Sequence, residues 1–192
     1  MLASRRRRRD QAGFTLVELL VALSLLTIVA AGIAQLFAVT VRDARAARDQ
    51  TMTMMLAMQK MEQLRGLTWR VDSAGGAVSD LTTDLSRSPP DASGSGLGAS
   101  PAGTLDTNTA GFVDFLDSNG RWVGTGTGPP PAATYLRRWS IEPLPSDPGN
   151  SLLLRVLVTT RIRDAGATAA GQARFRRADE ALLVTIRTRK AE

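Results

Sequence analysis

Residues 19–41 form a run of 23 positions without one charged side chain, and the pattern of the chain changes on either side of it. As a helix the run would rise about 34 Å, enough to cross a hydrocarbon core of roughly 30 Å. It reads as one membrane segment. Beyond it the helical pattern continues in amphipathic form. Ala44, Ala47, Thr51, Met54, Met58 and Met61 recur at intervals of 3, 4, 3, 4 and 3, while Arg45, Arg48, Lys60 and Glu62 fall elsewhere. No proline precedes Pro89 and Gly66 offers a C-cap, so residues 14–67 are expected as one helix of roughly 80 Å. Met52, Met54, Met55, Met58 and Met61 are expected to pack in the core, against the competing readings of a partner groove or a thioether copper site.

After the helix the pattern shifts to loops and strands. Residues 73–111 are crowded with Ser, Gly, Pro, Thr and Asp, and a second breaker run covers 124–131. Between them, 112–116 and 121–123 flank Asp117-Ser118-Asn119-Gly120, a hairpin whose Asn-Gly turn accepts positive φ. Asp114, Asp117 and Asn119 also admit a calcium reading, but an Asp-x-Asn pair without further acids is weak, and a plain turn is expected. Residues 135–144, 151–163 and 178–189 alternate as strands, with a turn at 145–150 and a longer Ala/Gly-rich connection at 164–177. Leu152, Leu154, Val156, Val158 and Ile162 share one face of the second strand, and Leu182, Val184 and Ile186 one face of the third. These two sets are expected to face the helix. Arg138, Arg155, Arg161, Arg163, Arg187 and Arg189 are assigned to the opposite, solvated faces.

Composition narrows the chemistry. The chain has neither cysteine nor histidine, which excludes disulfides, thiolate or imidazole metal sites, and Ser-His or Cys-His nucleophile pairs. No acid/base pair stands in convincing spacing, so no enzyme, cofactor or metal is expected. The formal charge is +6, but residues 1–13 hold five arginines and one aspartate, so residues 14–192 carry only +2. The high pI therefore bears on topology rather than on nucleic acid, which is not an expected partner. Arg5 to Arg9 before the apolar run, against Arg42, Arg45 and Arg48 after it, favour a cytoplasmic leader and an extracytoplasmic C-terminal part.

Glu18 is the anomaly. It stands at the head of the apolar run, where a carboxylate costs on the order of 2.5 to 3.5 kcal/mol or more unless paired. Phe14 lies four residues earlier, on the same helical face, and a cut after Gly13 would create an ammonium close to that carboxylate. The partner could be the chain's own amino terminus or a neighbour's; alternatively Glu18 rests in the headgroup zone of an ordinary signal anchor.

The basic leader ending in Gly13, then Phe14, then Thr15-Leu16-Val17-Glu18 opening an apolar helix, resembles the type IV prepilin family: pilins of type IV pili and pseudopilins of type II secretion. The resemblance implies cleavage by a prepilin peptidase between Gly13 and Phe14, N-methylation at Phe14, and a role for Glu18 in subunit registration. It also implies an inner-membrane assembly platform, other pilins or pseudopilins, and membrane lipid as partners. Major subunits often carry a proline in the membrane half, and this chain has none there. The stretch 58–65, the long Gly-rich insertion and the strand containing Trp139 look more like PilV-type minor pilins and the related I-type minor pseudopilins than a major subunit.

The expected fold is α+β: a long N-terminal helix, its first half a membrane stem, packed at its C-terminal half on a small antiparallel β-sheet head. Its segments are the leader 1–13, the transmembrane and polymerisation half 14–41, the amphipathic half 42–67, the loop 68–111 and the sheet head 112–192. The expected function is that of a minor structural subunit of a pilus or secretion pseudopilus, held single-pass in the inner membrane before assembly. The alternative is a monomeric signal-anchored extracytoplasmic binding module.

Overall fold

The computed structural model describes residues 15–71, 74, 84–86, 96–160 and 180–191. Helix α1 runs Leu16–Gly66. Thr15 starts it: its Oγ1 accepts the Glu18 N–H at 3.3 Å, satisfying one of the donors that a first turn leaves unpaired. Within the apolar run the hydroxyls turn inward to their own backbone. Ser24, Thr27 and Thr40 donate to the carbonyls of Leu20, Leu23 and Leu36 at 2.8, 2.7 and 2.9 Å, so none is left bare against an apolar medium.

Two compact units divide the chain, residues 1–44 and 45–192. The described part of the first is helical from Leu16 and buries nothing; its apolar side chains are all exposed. It contains the one stretch, among the described residues, long and apolar enough to cross a membrane.

The second unit is a five-stranded antiparallel sheet packed on the last turns of α1. Its strands are β2 (Val113–Leu116), β3 (Trp122–Gly124), β4 (Tyr135–Pro143), β5 (Ser151–Thr160) and β6 (Ala181–Thr188), in the order β3-β2-β4-β5-β6. Two short strands, β1 (Arg70–Val71) and β7 (Lys190–Ala191), pair in parallel. The α+β expectation is borne out. The core lies between helix and sheet: Leu56, Ala57, Met61 and Leu64 of α1 meet Trp139 and Ile141 of β4 and Leu152, Leu154, Val156 and Val158 of β5. A second, smaller cluster of Val113, Phe115, Ala133 and Leu136 fills the other face under the 123–134 segment.

The hairpin stands where the sequence placed it. Within residues 117–120 only Gly120 adopts positive φ, +77°, and the Asp117 carboxylate accepts the N–H groups of Asn119 and Arg121 at 2.8 and 2.9 Å. Asp114 points to the helix side and is consumed by the buried charges described below, so the two aspartates have separate structural duties. The 145–150 turn closes β4 on β5, with Asp147 accepting from the Ser151 hydroxyl at 2.9 Å.

Five expectations need correction. The face of α1 against the sheet is Thr53, Leu56, Ala57, Lys60, Met61 and Leu64; Ala44, Ala47, Thr51, Met54 and Met58 point away. The expected stripe excluded Lys60 as charged, yet Lys60 sits on the buried face because its ammonium finds partners there. With the stripe turned, Met54, Met55 and Met58 are exposed, and only Met61 and, in part, Met52 pack in the core.

On β6, Val156 of β5 pairs with Leu183, and Val158 with Ala181, so Ala181 and Leu183 look toward the helix. Val184 and Ile186 lie on the far face, 51% and 56% exposed. Both faces of this edge strand carry apolar residues, so alternation alone did not choose between them.

The arginines are not one wet face. Arg138 is buried and donates to Asn108 Oδ1 at 2.8 Å, while Arg155 pairs with Glu142. Arg189 stacks over Trp69 at 5.1 Å. Arg161, Ile162 and Arg163 lie outside the described residues.

Gly66 is not in the left-handed region. The helix ends instead on Arg187, whose guanidinium donates to the carbonyls of Leu64, at 3.3 Å, and Arg65. A cation on the last carbonyls meets the negative end of the helix dipole.

Candidate functional site

Two regions concentrate chemistry. The first is the start of α1. Gly13 and Phe14, the expected cleavage junction, lie outside the described residues. Glu18 is exposed in the first turn, its N–H held by Thr15 and its carboxylate on the side of the helix that carries Leu19, Ala22, Leu23 and Leu26. These follow two rows of four-residue spacing, 18-22-26 and 19-23, so the carboxylate heads an otherwise apolar ridge. A second helix laid along this ridge would meet small and branched side chains, with one negative charge at its end. That arrangement binds a cation strongly only if the cation arrives with the partner.

The second region is the seam between α1 and the sheet, which the sequence reading did not find. Asp114 of β2 is fully buried. Arg137, opposite it on β4, grips it through both nitrogens, Nε to Oδ1 and Nη2 to Oδ2, each at 2.8 Å. Lys60 Nζ approaches Oδ2 to 2.8 Å as well, donates to the Leu85 carbonyl at 2.7 Å, and stands 4.1 Å over the Trp139 ring. Arg137 Nη1 reaches on to the Leu56 carbonyl at 3.0 Å and Gln59 Oε1 at 3.2 Å, tying β4 to the helix backbone.

Two cations thus share one carboxylate in the core. Burial pushes Lys60 down from its ordinary 10.5 to about 8; Asp114 resists the shift and Arg137 adds to it. A further link, Tyr135 Oη to Asp49 Oδ1 at 3.2 Å, raises the Tyr135 pKa through burial first and the aspartate second. Three donors at 2.8 Å hold the Asp114 carboxylate and all three side chains are almost wholly buried, the arrangement of a structural clamp. Its only sequence signal was a lysine and an aspartate falling at positions whose neighbours are apolar.

The described part of the chain is thus α+β, with an exposed apolar helix of membrane-spanning length headed by an ionisable residue. The chain matches the family model described as the prokaryotic N-terminal methylation motif over residues 8–34, a span that contains Gly13, Phe14 and Glu18. The match supports the type IV prepilin-like reading that the resemblance implied. No curated protein and no solved structure matches the chain. The motif ends at residue 34, so it characterises the stem and leaves the sheet unclassified. It implies processing by a prepilin peptidase and assembly with other pilins.

Proposed function

We propose that the chain is a minor subunit of a type IV pilus or type II secretion pseudopilus. In this reading prepilin peptidase cuts after Gly13, Phe14 is N-methylated, and the mature subunit enters a fibre through its N-terminal helix with the sheet extracytoplasmic. The leader remains cytoplasmic, the inner membrane holds the precursor, and an inner-membrane platform with its sister subunits completes the partners. The role is structural rather than catalytic.

The observation that carries the reading is the exposed apolar helix opening on Glu18 inside the matched motif. A lone anchor gains nothing from a carboxylate at that place. A polymerising subunit does: the carboxylate of one stem answers the Phe14 ammonium of its neighbour, rewarding the correct axial register and leaving fewer unpaired charges in the bilayer.

Glu18→Ala separates the two. In the assembling subunit, leader cleavage persists while incorporation fails, measured as recovery of the protein in sheared fibres. Recovery equal to wild type would contradict the mechanism and favour a monomeric signal-anchored module.

A further inference from the structure

Strand β6 is an edge of the five-stranded sheet, and its outer side is open. The Arg189 N–H donates to the Asn150 carbonyl at 2.7 Å, which fixes the phase of the β5–β6 ladder. Ala181, Leu183, Thr185 and Arg187 therefore turn their main-chain groups to β5, and Leu182, Val184, Ile186 and Thr188 turn theirs outward. No described residue pairs with that outward row. Natural sheets guard such edges with proline, a bulge or a charge, and β6 has neither proline nor bulge; its one charged residue, Arg187, is committed to the end of α1. Val184 and Ile186 stand more than half exposed beside the row.

At the C-terminal end of β6 lies a cleft of about 300 Å³, lined by Thr185, Ile186, Arg187 and Thr188 and by Arg65 from the end of α1. The lining takes consecutive residues of β6 and no described residue of β5, so the cleft opens along the edge rather than over one face. Two guanidiniums border it against one carboxylate, Glu62, which bonds Arg65 at 3.0 Å. The cleft is suited to an anion.

We infer that β6 accepts an extended polypeptide segment as an added strand, parallel to β6, with the segment's C-terminal carboxylate seated at Arg65 and Arg187. The outward N–H and C=O groups supply the ladder, and every second side chain of the segment lies beside Val184 and Ile186, which selects apolar residues there. The parallel direction follows from the carboxylate: it must end beside Thr188 while the chain behind it runs back along Ile186, Val184 and Leu182. A second copy of this chain fits less well, because two β6 strands related by a two-fold axis pair antiparallel and bring Leu182, not an anion, to the cleft. The site lies wholly within the sheet unit and does not depend on how the stems assemble.

The test titrates the detergent-solubilised full-length chain into a fluorescein-labelled peptide of alternating valine and serine, as long as β6, with a free C-terminal carboxylate, and into the same peptide amidated at that end. The free acid is expected to bind at least tenfold more tightly than the amide, and Arg65→Gln, at an exposed side chain, to abolish the difference. Val184→Pro deletes an outward N–H that β5 does not use, and should weaken both peptides at least tenfold. Hydrogen exchange of the unsubstituted chain supplies a readout that needs no variant: the Val184 and Ile186 amides should slow when the free acid binds. No binding of the free acid at about 1 mM, equal affinity for acid and amide, or unchanged exchange at those two amides would each overturn the inference. So would a dimer of the chain alone that Val184→Pro dissociates.

Discussion

Lys60 brings a second cation to a carboxylate that Arg137 already holds bidentately, and the consequences differ for the three partners. Replacing Asp114 by Asn strands two buried cations, a change expected to cost about 3 to 5 kcal/mol. Lys60→Met keeps the volume, leaves the Arg137–Asp114 pair intact and removes the surplus charge; it is expected to cost much less, its main penalty being the unpartnered Leu85 carbonyl. Urea unfolding of the detergent-solubilised chain ranks the two, and equal losses would contradict the clamp as described.

The same residue sets a pH dependence. The folded chain holds the Lys60 proton to about 8 and the unfolded chain to 10.5, so between these values the unfolded state binds more protons and stability rises with pH. Tyr135 acts oppositely. Its raised pKa means that the folded state keeps a proton the unfolded state loses above 10.0, so its contribution falls beyond that point. The urea midpoint should climb from pH 8 toward pH 10 and then turn over, and Lys60→Met should abolish the climb.

At the scale of elements, α1, the hairpin and the strand pairs have separate determinants. The hairpin turn packs on the helix: a Cβ at Gly120 would meet Leu56 Cδ2 at 3.0 Å and Met52 Cε at 3.4 Å, in a backbone conformation that L side chains rarely adopt. Gly120→Ala is expected to lower stability by about 1 to 3 kcal/mol, seen as a lower thermal midpoint. The β5 register gives a sharper contrast. Val156 is fully buried against α1, so Val156→Asp should cost several kcal/mol, whereas Arg155→Asp, on the far face, loses a partly exposed pair with Glu142 and a hydrogen bond to Ser140 and should cost less. The reverse ranking would shift the strand by one residue.

The elements themselves were legible because each has a local cause: an unbroken uncharged run, Asn119-Gly120, the 145–150 turn, and the alternation of 152–158. Facing was less so. Lys60 looked like a solvent residue because its partner Asp114 is 54 positions away in the chain, and the side of α1 it occupies was misassigned with it. Val184 and Ile186 looked like core because an edge strand can be apolar on both faces. Arg187 looked solvated because the carbonyls it caps belong to a helix that ends 121 residues earlier. In each case the deciding contact is long-range, and pattern along the chain carries no record of it.

For the whole molecule, charge and apolar surface describe one trajectory. The five leader arginines account for most of the net charge, and without residues 1–13 the chain is nearly neutral, its described residues up to Val41 exposing no charged side chain but Glu18. In the proposed reading such a surface is covered first by lipid and then by other stems, and an amine freed at Phe14 would be the charge that makes Glu18 tolerable in both. The account therefore stands or falls on the new amino terminus. Intact mass spectrometry of the membrane-extracted protein is expected to show a chain that begins at Phe14 and carries one added methyl group; a chain that retains residues 1–13 in cells with active prepilin peptidase would contradict it.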